Sequence, residues 1–111
     1  LWVAGNEYLQ AAAPWTAIKT DRDRAAVVVR TAINLVALYA RLSSPFIPFS
    51  AAIIAEAVGE AGVTAWPLAS DAGLLDSLPR GRAVRAPEVL FKKIEDDQVT
   101  EWTRQFDGVE D

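Results

Sequence analysis

The sequence contains no cysteine and no histidine, and these two absences exclude several kinds of site. No disulfide can form, and a zinc site of the usual Cys/His kind is ruled out. The most common general base of enzymes is also missing, which leaves only carboxylate chemistry open. The lack of cysteine fits a reducing compartment without proving one.

Two further patterns are missing. No uncharged apolar run reaches the ~20 residues that cross a bilayer, and no basic-then-apolar leader precedes a cleavage site. The glycines at 59, 62 and 81 lack the spacing of a phosphate-binding loop. Asp96 and Asp97 open a predicted helix, where acidic residues favour the helix dipole, so we interpret them as a solvated first turn. We predict no membrane partner, no catalytic residue and no metal ligand in this chain.

Apolar residues make up 51% of the chain, which is enough for one core, and we predict a single domain over residues 1–111. The sequence begins without methionine inside a helical pattern, so we expect it to be a piece of a longer protein. The net charge of −4 weakly disfavours nucleic-acid binding, but the charge is unevenly distributed. Residues 80–93 hold five bases and one acid, whereas residues 94–111 hold one base and seven acids.

Apolar periodicity predicts an all-α bundle of four or five helices. Residues 21–43 form the predicted central helix, apolar around most of its circumference and capped by Thr20. The other predicted helices are residues 1–13, a segment from Pro48 to Gly59 or Gly62, a short helix capped by Ser70 or Asp71, and a closing helix over 95–108. Trp2 and Trp102 are assigned to the core, and Trp66 to its edge.

Three groups of residues are candidates for binding. Arg30 and Asn34 share one helix face and form either an internally bonded stripe or a contact to a partner. The second group is Arg80, Arg82 and Arg85, followed by two lysines, and it forms either an exposed loop or a contact to phosphates. The third is Trp15, which follows Pro14 just beyond a predicted helix end. Its indole either packs in the core or offers a stacking platform for an unpaired base.

Three segments, in order along the chain, carry a family resemblance. They are "NEYLQAAAPWTAIKTD", "LSSPFIPFSAAII" and "GRAVRAPEVLFKKIEDDQV". The first resembles the Asn-x-Tyr and Ala-Pro-Trp segment of methionyl-tRNA synthetases, with a basic residue soon after. The second resembles the Pro-x-x-Pro helix boundary of that family, and the third its segment before the closing helix. Lys92 stands where many members have proline.

The resemblance implies a helical anticodon-binding domain from the C-terminal part of a class I synthetase. It implies that Trp15, presented by Pro14, stacks on an anticodon base. Lys19, Arg80, Arg82 and Arg85 are then candidate contacts to the tRNA backbone. The family's other anticodon readers, its zinc-binding insertions and its catalytic domain lie outside this sequence. We expect no cofactor in this piece, and ATP with Mg in the full-length enzyme.

The partners that the resemblance implies are initiator and elongator methionine tRNAs and the catalytic domain of the same protein, in the cytoplasm. Two alternatives stay open. The chain is the equivalent domain of another class I synthetase, which upstream residues would reveal. Or it is a helical protein-interaction module without an RNA role, in which case salt-dependent binding to tRNA would be absent.

Overall fold

The computed structural model describes residues 1–62, 66–68 and 73–108, and it has five helical segments and no strand in those ranges. They are α1 (Trp2–Ala12), α2 (Pro14–Ala17), α3 (Arg22–Ser43), α4 (Pro48–Ala57) and α5 (Asp96–Phe106). The predicted all-α class is confirmed. The expected caps Ser70 and Asp71 lie outside the described residues, and residues 73–78 form turns and bends rather than a helix.

Helix α3 is the centre of the bundle, as predicted, because α1, α2 and α4 all pack against it. Its buried residues are Ala25, Val28, Asn34, Ala37, Tyr39 and Ala40. By length and composition alone α3 could cross a membrane, but its packing against three helices is that of a core helix. Val29, one of the apolar residues of this helix, is 44% exposed.

The N-terminus of α3 lies one residue later than the sequence indicated. Asp21, rather than Thr20, is the N-cap, and its carboxylate accepts a hydrogen bond from the Arg24 N–H at 3.0 Å. Thr20 instead belongs to the turn after α2, where its N–H donates to the Ala17 carbonyl. A carboxylate at the cap also stabilises the positive end of the helix dipole.

Close packing of α1 on α3 depends on a glycine. A Cβ at Gly5 would lie 2.8 Å from the buried Tyr39 ring, so this position admits no side chain without a shift. Trp2 packs beside the same ring, with centroids 5.0 Å apart, and its indole N–H donates to Ser43 Oγ at 3.1 Å. Trp2 is nevertheless 43% exposed, so it borders the core rather than filling it, contrary to the prediction.

A small core lies around Ala37, two residues before Tyr39 on α3. Ala37 packs there with Val58 and Leu78, and Ile33 and Val36 lie against this cluster. Helix α4 begins at Pro48, as predicted, and its chain turns away at Gly59, whose φ of 78° favours glycine.

Helix α5 forms as expected, but its apolar face does not pack as expected. Glu95 and Gln98 close a capping box at its start. Val99, Trp102 and Phe106 share the apolar face and are 49%, 45% and 78% exposed. The assignment of Trp102 to the core is therefore wrong for these described residues, because no neighbouring helix covers that face.

The boundary between α1 and α2 is a strained residue. Ala13 has φ 42° and ψ 64°, the left-handed region that residues with a Cβ rarely adopt. Pro14 follows and disfavours the right-handed helical conformation for Ala13. The chain therefore ends α1 at Ala12 and starts a new turn of helix at Pro14 in a different direction.

This strain gives a first prediction. Ala13→Gly should raise the free energy of unfolding by about 0.5–1 kcal/mol, because glycine removes the Cβ clash of the left-handed conformation. Ala11→Gly, on the exposed side of α1, is the matched control and should lower stability by about 0.5–1 kcal/mol. Urea unfolding of the 111-residue chain measures both. Equal destabilisation by both changes would contradict the left-handed conformation.

Candidate functional site

An open groove of about 660 Å³ lies between α2, one face of α3 and the segment that follows residue 77. Its lining residues come from three stretches of the chain, two that follow each other closely (14–18 and 22–34) and one that is distant in sequence (78–84). They are Pro14, Trp15, Ile18, Arg22, Ala25, Ala26, Val29, Arg30, Ile33, Asn34, Leu78, Pro79, Arg80, Gly81, Arg82 and Val84.

The first wall is the single turn of α2. Pro14 is buried and lacks an N–H, so it can occupy the first position of a helix without losing a hydrogen bond. The Ala13 carbonyl accepts from the N–H groups of Thr16 and Ala17, both at 3.0 Å. Trp15 sits inside this turn rather than in an irregular loop, and its side chain is 54% exposed at the groove.

The floor of the groove is one face of α3. Ala25, Ala26, Val29 and Ile33 recur there at helical spacing and make the floor apolar. This explains why Val29 is exposed although it lies in an apolar stretch: it faces the groove and not another helix.

The second wall is the segment from Leu78 to Arg82, which has no helix or strand of its own. Asn34 and Arg30 hold its first residue: Asn34 Oδ1 accepts from the Leu78 N–H at 3.0 Å, and Arg30 Nη2 donates to the Leu78 carbonyl at 2.9 Å. Arg30 also forms an ion pair with Asp76. The internally bonded interpretation of the Arg30 and Asn34 stripe is therefore the one that the structure supports.

Four arginines line the groove, and none of its described lining residues is acidic. Arg30 pairs with Asp76, and Arg82 pairs with Glu60 while also donating to the Gly59 carbonyl. Arg22 and Arg80 form no ion pair with any described residue. Two of the four cations are therefore available to a ligand without losing an ion pair to the described residues.

The predicted backbone contacts separate into two groups. Arg80 and Arg82 line the groove, whereas Arg85 and Lys19 do not. Arg85 lies against the end of α4, where its side chain pairs with Glu56 at 2.9 Å and its N–H donates to the Ala57 carbonyl. Lys19 is exposed in the turn that follows α2.

Sequence reasoning missed Arg22. A signal for it was present, because a cation in the first turn of a helix opposes the helix dipole. Such a placement suggests a role other than helix stability. Arg22 lies seven residues after Trp15 and lines the same groove.

The chemistry of the groove is that of binding. No carboxylate, hydroxyl or imidazole is among the described lining residues, so they supply no general acid or base. An exposed indole beside an apolar floor offers a stacking surface, and arginines attract anions and can stack on planar groups. A flat, aromatic and anionic ligand fits this combination.

Comparisons with known proteins identify the family of this chain. The family model described as "Anticodon binding domain of methionyl tRNA ligase" matches residues 1–111. The chain belongs to this family. The predicted family resemblance is thereby confirmed, and the groove lies within the matched anticodon-binding domain.

Two similar proteins share the name "Methionine--tRNA ligase". The chain is 68% identical over 110 residues to the protein of that name from Caulobacter sp. (strain K31), and the match covers 99% of the chain. It is 54% identical over 111 residues to the protein of that name from Jannaschia sp. (strain CCS1), which covers 100% of the chain. The chain spans 19% of the length of each of these relatives. No solved structure gives a significant match.

The pairing of the arginines yields a second prediction, on stability. Arg82→Ala should lower the free energy of unfolding by about 1 kcal/mol, because Glu60 and the Gly59 carbonyl lose their donor. Arg80→Ala is the matched control from the same wall, and it should change stability by less than about 0.5 kcal/mol. Thermal unfolding of the anticodon-binding domain compares the two. A larger loss for Arg80→Ala would show that the pairing is assigned wrongly.

Proposed function

We propose that this chain is the tRNA anticodon-binding part of a methionine–tRNA ligase, and that Trp15 stacks on an anticodon base. The observation that carries this proposal is the exposed indole at a groove with an apolar floor and four arginines, in a domain of this family. The shared name of the relatives supports methionine over another amino acid.

Stacking by Trp15 is favoured over packing in the core by its exposure of 54%. A buried core tryptophan would be covered by neighbours, whereas this ring is open on the groove side. Stacking of one base on an aromatic ring contributes about 1–3 kcal/mol to binding. Pro14 and the turn of α2 fix the backbone beneath the ring, which reduces the entropy lost on binding.

Stacking tolerates any base, so Trp15 supplies affinity and holds the anticodon loop open while hydrogen-bonding groups read the base edges. Arg80 is the first candidate for a phosphate contact, since it lines the groove without an ion-pair partner among the described residues. Arg82 faces the same groove from its pair with Glu60. Lys19 and Arg85 remain candidates for contacts to tRNA outside the groove.

The full-length protein is proposed to attach methionine to initiator and elongator tRNAs in the cytoplasm, using ATP with Mg. That chemistry belongs to its catalytic domain, a partner of this chain outside the 111 residues. The groove itself does not fit Mg–ATP, because its described lining offers no carboxylate to hold the metal ion.

Substitution of Trp15 tests the proposal directly. Trp15→Ala in the full-length protein should reduce kcat/KM for tRNA aminoacylation by an amount equivalent to about 1–3 kcal/mol, because the base loses its stacking partner. Trp15→Phe should lose less, since a ring remains. Methionine activation without tRNA, measured by ATP–pyrophosphate exchange, should keep its rate.

A structural role for Trp15 predicts a different pattern of results. Trp15→Ala would then lower the melting temperature markedly, and aminoacylation and methionine activation would fall in proportion. Measuring melting and both reactions on one preparation of each variant separates the two roles. Proportionate losses in every assay would refute stacking.

A fourth prediction concerns salt. Arg80→Ala should weaken tRNA binding and flatten its dependence on salt concentration, because one fewer phosphate is neutralised. Arg85→Ala removes the same charge from outside the groove and is the matched control. It should change the salt slope less. The slope comes from titrations of the full-length protein with methionine tRNA at several salt concentrations, and a slope that Arg80→Ala leaves unchanged from the parent protein would remove Arg80 from the binding site.

A further inference from the structure

The second wall of the groove is fixed by a buried side chain that no RNA can reach. Asn34 is 1% exposed, so it cannot contact a ligand in the groove. All of its polar atoms lie against the protein: its Oδ1 accepts from the Leu78 N–H, and its Nδ2 donates to the Arg30 carbonyl at 2.9 Å. A buried amide satisfied in this way holds its partners in one geometry.

Leu78 is held at three points. Its N–H is bonded to Asn34, its carbonyl accepts from Arg30, and its side chain is buried against Ala37 and Val58. This residue ends a segment of turns and bends and directly precedes Pro79 and Arg80. Anchoring Leu78 therefore sets where the groove wall starts.

The rest of that wall has few bonds of its own. The Arg82 N–H donates to the Pro79 carbonyl at 3.4 Å, and the Arg82 side chain reaches the Gly59 carbonyl. Between these anchors, Arg80 and Gly81 have no backbone hydrogen bond to another described element. The position of Arg80 at the groove thus depends on the anchor at Leu78.

From this geometry we propose that Asn34, together with Arg30, is a positioning residue for tRNA recognition. The two side chains form hydrogen bonds with Leu78, an arrangement that we call the clasp, and so hold Arg80 in place at the groove that Trp15 also lines. The proposal rests on the proposed function of the groove. Without the clasp, the second wall of the groove samples several positions. Only one of these positions binds tRNA, so fixing the wall in that position lowers the affinity for tRNA.

The main variant for the test is Asn34→Leu in the full-length protein. Leucine keeps a similar size but cannot accept from the Leu78 N–H. The KM for tRNA in aminoacylation should rise on the order of tenfold, with a smaller change in kcat. Tyr39→Leu is the matched control, because Tyr39 is also buried on α3 but packs on α1. It should lower the melting temperature without a comparable rise in KM.

A double-mutant cycle with Arg80→Ala separates positioning from a general loss of stability. If Asn34 acts through Arg80, the Asn34→Leu change should raise KM less when Arg80 is already absent. Independent, multiplying effects on KM would overturn the proposal. A rise in KM for Tyr39→Leu equal to that for Asn34→Leu would overturn it too.

Arg30→Lys keeps the test decisive if Asn34→Leu does not fold. The Arg30 side chain is 36% exposed, and lysine preserves its charge but cannot bond both the Leu78 carbonyl and Asp76. It should raise KM for tRNA and show the same coupling to Arg80→Ala, and no coupling would overturn the proposal. If Trp15→Ala selectively impairs the reaction with tRNA while the variants of Asn34 and Arg30 have no effect, only the role of the clasp is refuted. No selective defect in any of them refutes the anticodon role itself.

Discussion

The packing of α1, α2 and α4 against α3 is the constraint on which the rest of the structure depends. One helix cannot offer all of its circumference to neighbours and also carry a binding surface, so α3 is divided along its length. In the C-terminal half of α3, Tyr39 packs against α1 at Gly5. Nearer its N-terminus, the face with Ala26 and Val29 is left open and becomes the floor of the groove.

Much of this bundle was predictable, because proline and apolar spacing are local signals. Pro14 and Pro48 mark helix boundaries directly, and the span of α3 follows from its apolar residues. The tight turn at Trp15 was not predictable, since it requires the left-handed Ala13, and propensity disfavours that conformation for alanine. The left-handed conformation of Ala13 is unfavourable by itself, so only the surrounding packing, such as the burial of Pro14, can stabilise it.

The candidate site shows the same limit on sequence reasoning. Sequence identified Trp15 and the cluster of arginines as residue types that bind RNA, but it could not tell the arginines apart. Arg80 and Arg85 differ only in what lies beside them, namely an open groove for one and Glu56 for the other. Likewise, the amphipathic pattern of α5 predicts an apolar face without stating what covers it, which is why Trp102 was assigned wrongly.

The charges of the domain reconcile an acidic chain with an anionic ligand. The net charge is −4, yet electrostatic attraction at short range depends on the charges lining the groove. There the described lining is cationic, and two acids beside it, Asp76 and Glu60, form ion pairs with Arg30 and Arg82. These pairs orient the walls, whereas Arg22 and Arg80 form no ion pair within the described part of the chain. The cations at the groove therefore set the local attraction for an anion, although the chain as a whole is acidic.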